Sequence, residues 1–340
     1  MKRIYVFGCV LVLSAMLSSL TGCHPKKVVV NKDLTDSLER ITDPTSRIMR
    51  LDKLIKDNPE NANLYMMRSK AYDEAGNLDL SLENAKKAIE RDTTHADWYF
   101  YMADLFMKKP SVKNAIGTME RFTLGRPNDK MAWVKLGELY LKSGIFNEKE
   151  ENGNNKKSLE SLDKAIKLDH NLPEAYFWIG YNYRDMKKDD KAIAAFQKAI
   201  ELKPDYEDAY VILGLLYEAK KDPKAEEYFS SAIRINPKDS IALYDRGKYN
   251  QDRDSFDRAI VDYQKILELD PNKRSANYAI GYCLYQEKKY NDALGYFSKV
   301  LLNNPKDAAA HDGRSLCYRG LGETEKANKE KEIAERLYNK

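Results

Sequence analysis

The chain has 340 residues, with 57 Lys and Arg against 53 Asp and Glu and a formal net charge of +4. Lys2 and Arg3 supply two of those charges, and the remaining ~2 are spread over a long chain without a basic stripe, which disfavours nucleic acid as a partner. No cofactor and no metal are expected, since the motifs that would hold them are missing.

Met1, Lys2 and Arg3 form a short basic start, and Ile4 to Leu20 follow as an uncharged, largely apolar run, the pattern of a secretory signal. The run ends in Leu20-Thr21-Gly22-Cys23, which resembles the lipobox of bacterial lipoproteins. That resemblance makes residues 1–22 a lipoprotein signal peptide and Cys23 the acylated N-terminus. An ordinary signal with a chance cysteine, or an uncleaved membrane helix, remains open, although the run is about as short as a spanning helix can be. Several acyl chains make a lasting anchor, each methylene contributing about 0.8 kcal/mol. Residues 23–33 read as a short polar tether. Because His24, Pro25, Lys26 and Lys27 follow the cysteine, with no acidic residue among them, the resemblance implies a palmitate-bearing outer-membrane lipoprotein facing the periplasm.

Residues 34–61 are expected to form N-terminal capping helices, with Ile48, Leu51, Leu54 and Ile55 at helical spacing ahead of Pro59. Beyond them a pattern returns about every 34 residues. Tyr176, Ile179, Gly180 and Tyr183 recur as Tyr210, Leu213, Gly214 and Tyr217, and Trp133, Leu136, Gly137 and Tyr140 form a related set across a longer gap. Each is followed by a second signature, Ala192, Phe196, Ala199 and Pro204, which recurs as Ala225, Phe229, Ala232 and Pro237. These residues resemble the tetratricopeptide repeat. The resemblance implies an all-α fold, a right-handed superhelical solenoid of helix-turn-helix hairpins running as one continuous domain from about residue 34 to 340. Units are read at 62–95, 96–129, 130–172, 173–206, 207–239, 240–273, 274–307 and 308–340.

Gly137, Gly180, Gly214, Gly247 and Gly281 fall inside the first helix of a unit (helix A), where glycine costs about 1 kcal/mol relative to alanine. Close approach of the second helix (helix B), through Ala192, Ala199, Ala225, Ala232, Ala259 and Ala293, would offset that cost. Departures occur: Ser69, Ala103 and Ser315 replace the glycine, and Phe122, Ile266 and Val300 replace the late small residue. The copy beginning at 130 carries extra residues within Gly144 to Lys157, read as a loop between its helices. The last unit is a polar cap, with Lys331 where Phe196, Phe229, Tyr263 and Phe297 stand in earlier units. Cys283 and Cys317 occupy one place in successive units, too far apart for a disulfide at a helix spacing of about 8–10 Å, and are expected as buried free thiols.

No GxSxG, Walker loop, HExxH or paired CxxC is present, and the histidines at 24, 95, 170 and 311 read as surface residues, so no enzyme is expected. In tetratricopeptide proteins the second, fifth, ninth, twelfth and thirteenth places of helix A line the concave face. The fifth place here carries Phe100, Phe177, Tyr244 and Tyr278 among others, and the ninth carries Tyr181, Leu215, Lys248, Tyr282 and Leu316; Arg184 holds a twelfth. Phe100, Phe177, Tyr181, Arg184, Tyr244, Lys248, Tyr278 and Tyr282 are the candidate groove residues, suited to an extended peptide or a partner helix. The same aromatics at helical spacing also fit a plain core. No unit shows the Lys and Asn pair of the branch that clamps C-terminal carboxylates. The chain thus resembles repeat lipoproteins of the Bacteroidetes envelope, a membrane-anchored scaffold or adaptor for other envelope proteins, with oligomeric state open. The alternative is a glycan or small-ligand receptor, for which Trp98, Trp133 and Trp178 are the available tryptophans.

Overall fold

The computed structural model describes residues 32–146 and 151–339, and among them all regular structure is α-helical. Helices α1 (Lys32–Glu39) and α2 (Pro44–Asp57) come first. They are followed by α3 (Ala62–Glu74) and α4 (Leu78–Arg91), α5 (Ala96–Lys108) and α6 (Val112–Gly125), then α7 (Lys130–Phe146) and α8 (Glu151–Leu168). Next stand α9 (Pro173–Asp185) with α10 (Asp189–Leu202), α11 (Glu207–Ala219) with α12 (Lys224–Ile235), and α13 (Ser240–Gln251) with α14 (Phe256–Leu269). The chain closes with α15 (Arg274–Gln286) and α16 (Tyr290–Asn303), then α17 (Ala308–Gly320) and α18 (Thr324–Tyr338). No described helix is long and apolar enough to cross a membrane.

The chain divides into two compact units, one ending at Ser111 and one beginning at Val112. The division falls inside the copy beginning at 96, which lacks the residues for close helix approach: Ala103 stands for the glycine, Met119 for the ring and Phe122 for the small residue. In the first unit, Leu51, Leu54 and Ile55 of α2 are buried with Leu64 and Tyr65 of α3. In the second, each helix A packs on its own helix B, and each helix B on the next helix A.

The glycines sit where the helices cross. A Cβ on Gly180 would lie 2.7 Å from the ring of Phe196, one on Gly214 2.5 Å from Phe229, one on Gly247 2.7 Å from Tyr263 and one on Gly281 3.0 Å from Phe297. All four rings are buried. Where the ring is absent, serine joins the helices instead: Ser69 Oγ donates to the carbonyl of Ser81 at 2.7 Å, opposite Ala85, and Ser315 Oγ donates to that of Ala327 at 2.8 Å. At Gly137 the polarity is reversed, with Ser158 Oγ of α8 donating to the glycine carbonyl at 2.6 Å.

Between helix A and helix B the chain turns through one left-handed residue at a fixed place: Gly76, Lys187, Lys221, Asp254, Lys288 and Gly322, with φ from 55° to 80°. The residue after it closes the turn by donating its N–H to a carbonyl five residues back, as from Lys188 to Tyr183 at 2.8 Å. Pro110 holds that place in the copy beginning at 96 and cannot take a positive φ. In the copy beginning at 130 the place is Gly144, and there α7 continues to Phe146 while α8 begins at Glu151. The insertion is therefore largely added helix, a correction to the loop reading; Asn154 and Asn155 are buried in it.

A second local device recurs at the fourth place of helix A. Trp133 Nε1 donates to the carbonyl of Pro127 at 2.8 Å, Asn277 Nδ2 to that of Pro271 at 3.1 Å, and His311 Nε2 to that of Pro305 at 3.1 Å. Three unlike side chains thereby fix the same inter-unit turn. His311 is not a surface residue as the sequence suggested: it is 9% exposed, and its Nδ1 lies 2.5 Å from Glu330 Oε2, which also pairs with Arg314 at 2.8 Å. The other described histidines differ, since His95 stacks on Trp98 at 4.1 Å and His170 is exposed. Cys283 and Cys317 are free, buried thiols, as read from their spacing, and burial pushes them up to about 12 and about 11.

Two sets of substitutions test these contacts by urea unfolding. Gly214→Ala is expected to destabilise by about 1–3 kcal/mol through overpacking against Phe229, whereas Gly295→Ala, in open space within α16, gains about 1 kcal/mol. Equal effects at the two glycines would show that the crossing is loose. Lys187→Gly, Lys221→Gly and Lys288→Gly are each expected to raise stability by about 0.5–1 kcal/mol by relieving the left-handed strain. Loss of stability in all three would refute that reading.

Candidate partner-binding face

Because the close-approach side of helix A is turned toward its own helix B, the opposite side of α7, α9, α11, α13, α15 and α17 keeps exposed residues among the described helices. The exposed large apolar residues on these helices include Met131, Leu215, Ile241, Tyr282 and Leu316; Ile241 is the most open, at 67% exposure. They occupy second and ninth places of helix A. The A helices also approach one another, α7 with α9, α11 with α13 and α15 with α17, so these residues belong to neighbouring elements.

Around α9 the face is aromatic. Phe177 is 6% exposed, stacked on Tyr206 at 4.7 Å and edge-on to Tyr181 at 5.0 Å and to Phe196 at 5.6 Å. It is a core residue that shapes the floor and offers no face to a partner. Tyr181 is half-buried, with the Arg184 guanidinium 4.3 Å from its ring centre. Burial pushes the phenols of Tyr181 and Tyr206 above their usual range, and the carboxylates Glu174 and Asp208 add to the effect at Tyr206.

Further along, Tyr244 lies over Tyr263 at 5.5 Å and Tyr278 lies edge-on to Phe297 at 5.4 Å. Arg274 sits 5.3 Å from the Tyr278 ring and makes a two-point pair with Asp307 at 2.6 and 3.0 Å. Tyr244 and Tyr278 are both half-buried; Lys248 is exposed and pairs with Asp252 at 2.8 Å. Tyr282 is exposed. Phe100 is half-buried and belongs to the first unit, apart from the other seven residues.

The candidate set therefore forms a surface, not a pocket: Tyr181 with Arg184 over buried Phe177, and Tyr244, Tyr278 and Lys248 farther along. Tyr206 and Ile241 were missed from it. Tyr206 lies in a turn outside the helix-A places and no periodicity marks it; Ile241 stands at a second place, where the pattern alone could have found it.

Charge on this face is unbalanced. Glu174, Asp208, Glu218 and Asp245 make no ion pair among the described residues. Asp245 is half-buried on α13 facing Glu218 of α11 and Asp239 at the start of α13, with Lys248 the one cation acting on it. Burial first, then those two carboxylates, raise its pKa from 3.8 to about 6. No group of three or more metal-ligating side chains converges among the described residues. Cys23 and the segment before it lie outside the described residues.

Residues 180–221 match the family described as TPR repeat, and residues 62–95, 207–239 and 252–317 match families described as tetratricopeptide repeat. The chain thus carries tetratricopeptide repeats, as the spacing of its glycines and rings implied. It is 27% identical to anaphase-promoting complex subunit 3 of Schizosaccharomyces pombe over 42% of this chain and 22% of that protein. It is 26% identical to type IV pilus assembly protein PilF of Pseudomonas aeruginosa over 43% of this chain and 60% of that one. The chain spans less than two thirds of either relative. The C-terminal part of a TPR repeat-containing protein from Cytophaga hutchinsonii superposes with a TM-score of 0.50 at 20% identity, covering 73% of this chain and 98% of that one. That likeness is one of fold, and the fold is the all-α tetratricopeptide-repeat solenoid.

The raised pKa of Asp245 fixes a sign. The folded state holds this proton more tightly than the unfolded chain, so ionisation opposes folding; the penalty is complete above about pH 6 and fades as pH falls through 6 toward 3.8. Asp245→Asn is expected to raise stability at pH 7.5 by about 1 kcal/mol once solvent screening is allowed for, and to have no effect near pH 4. Urea midpoints at the two pH values check it, and a gain independent of pH would remove the electrostatic cause.

Proposed function

We propose that this chain is a non-enzymatic, membrane-anchored scaffold of the bacterial cell envelope, whose helix-A face holds a segment of another protein. The observation that carries the reading is the row of exposed and half-buried apolar and aromatic side chains, from Tyr181 through Leu215, Ile241 and Tyr244 to Tyr282 and Leu316, on a side of helix A that no described helix fully covers. Exposed apolar residues rimmed by polar ones are the signature of a protein-contact surface. Stacked hairpins offer such surfaces repeatedly along their length. Two of the relatives are named for assemblies, a complex subunit and a pilus assembly protein, which supports the same reading.

The anchor rests on the sequence: a basic start, an apolar run and Leu20-Thr21-Gly22-Cys23. On that basis the protein is lipidated at Cys23, belongs to the outer membrane facing the periplasm, and resembles the Bacteroidetes type of repeat lipoprotein. The tryptophans give the glycan-receptor reading little: Trp98 is buried, and the Trp133 ring is already covered by Lys164 at 4.1 Å.

Crosslinking in intact cells, followed by purification of the chain, tests the scaffold. Partner proteins are expected to be captured by the parent and lost when Tyr181, Tyr244 and Tyr278 are changed together to Ala. Capture that survives those changes would move the binding surface elsewhere, and glycan bound without any protein would overturn the reading. Palmitate labelling is expected in the parent and abolished by Cys23→Ser; labelling that persists in the variant removes the anchor.

A further inference from the structure

On the reading that the helix-A face of the second unit holds a polypeptide, we propose that the segment it takes is basic, carrying lysine or arginine among apolar residues and seated across α9, α11 and α13. The apolar half of that description comes from Leu215 and Ile241, exposed on α11 and α13, and from half-buried Tyr244 beside them. The charged half comes from what lies between.

Three well-buried carboxylates of this molecule are paired. Asp262 meets Arg246 at 2.6 Å, Asp307 meets Arg274 at 2.6 Å, and Glu138 lies between Lys135 at 3.1 Å and Lys142 at 2.5 Å. Glu174, Asp208, Glu218 and Asp245 have no such partner among the described residues. Lys248, the cation acting on Asp245, is held by Asp252 at 2.8 Å, and Arg184 lies over the Tyr181 ring at 4.3 Å. Unpaired carboxylates on a face that also exposes apolar anchors leave a negative field directed at whatever docks there, and that field selects positive charge.

An inorganic cation does not fit, because no group of three or more ligating side chains converges among the described residues. Cations carried on long flexible side chains do fit, since they can reach carboxylates on successive helices while apolar neighbours sit on Leu215, Ile241 and Tyr244. The desolvated, like-charged setting of Asp245 agrees with this, for a docked ammonium or guanidinium group would relieve it.

Three fluorescein-labelled peptides of about a dozen residues, alternating leucine with lysine, glutamate or serine, test the proposal when the full chain in detergent is titrated into them and anisotropy is read. The lysine peptide is expected to bind about tenfold or more tightly than either of the others at low salt. Glu218→Gln combined with Asp245→Asn should weaken the lysine peptide by about five- to tenfold and flatten its salt dependence. Glu325→Gln combined with Glu332→Gln, which removes the same charge from α18, should change nothing. Binding of the glutamate peptide as tight as that of the lysine peptide, or an equal loss in the α18 variant, overturns the proposal. If crosslinked partners depend on Tyr181, Tyr244 and Tyr278 while the carboxylate variant binds the lysine peptide normally, the basic specificity falls and the scaffold stands. If neither set of changes matters, both fall.

Discussion

The contact on which the rest depends is the crossing of helix A and helix B at a single place in each hairpin. It is a constraint of distance more than of chemistry. In four successive hairpins a buried ring packs within 3.0 Å of where a methyl group on the facing glycine would stand. Near either end of the array a serine hydroxyl reaches a backbone carbonyl across the same gap, and at Gly137 the serine comes from the other helix. A ring contributes burial and a hydroxyl contributes one net hydrogen bond of about 1 kcal/mol, so the solutions differ in energy while keeping the geometry. That geometry also decides the face left open, because a helix committed to its partner on one side must show the other.

On the open face, order and charge pull against each other. Phe177 and Tyr206 stack over a buried Phe196 and give α9 a rigid floor. A few steps along, Asp245 is kept half-buried among carboxylates although the fold would gain from its removal. Arg246, its neighbour in sequence, is by contrast held by Asp262 at two points, at 2.9 and 2.6 Å. The same helix thus carries one charge arranged for cohesion and one that cohesion does not explain, the division expected where a surface has a task besides holding itself together.

Much of the fold could be read from residues whose role is set by sterics alone. A mid-helix glycine opposite a ring has few explanations, and those at 180, 214, 247 and 281 located the crossings. Features set by context were harder to see. The left-handed turn residue is lysine in three hairpins, a type that carries no signal for positive φ, and aspartate in a fourth, while glycine marks it only at 76 and 322. Polar insertions resemble loops by composition, yet here much of the added sequence is helix. His311 looked like a surface residue because its partners, Glu330 and the Pro305 carbonyl, become visible only when α17 and α18 are folded together. For the face, position within helix A named Tyr244, Lys248, Tyr278 and Tyr282 as candidates but could not tell that Phe177 is nearly buried, since depth within a surface depends on the neighbouring unit.

The two interior thiols give the molecule a gauge of its own breathing. Cys283 and Cys317 sit in successive A helices with no exposed surface, and as thiols of very weak acidity they offer almost no nucleophile while the hairpins stay shut. An alkylating reagent can reach them only when α15 or α17 parts from its neighbours, so the pace of modification would register local opening at one end of the chain without any label being introduced.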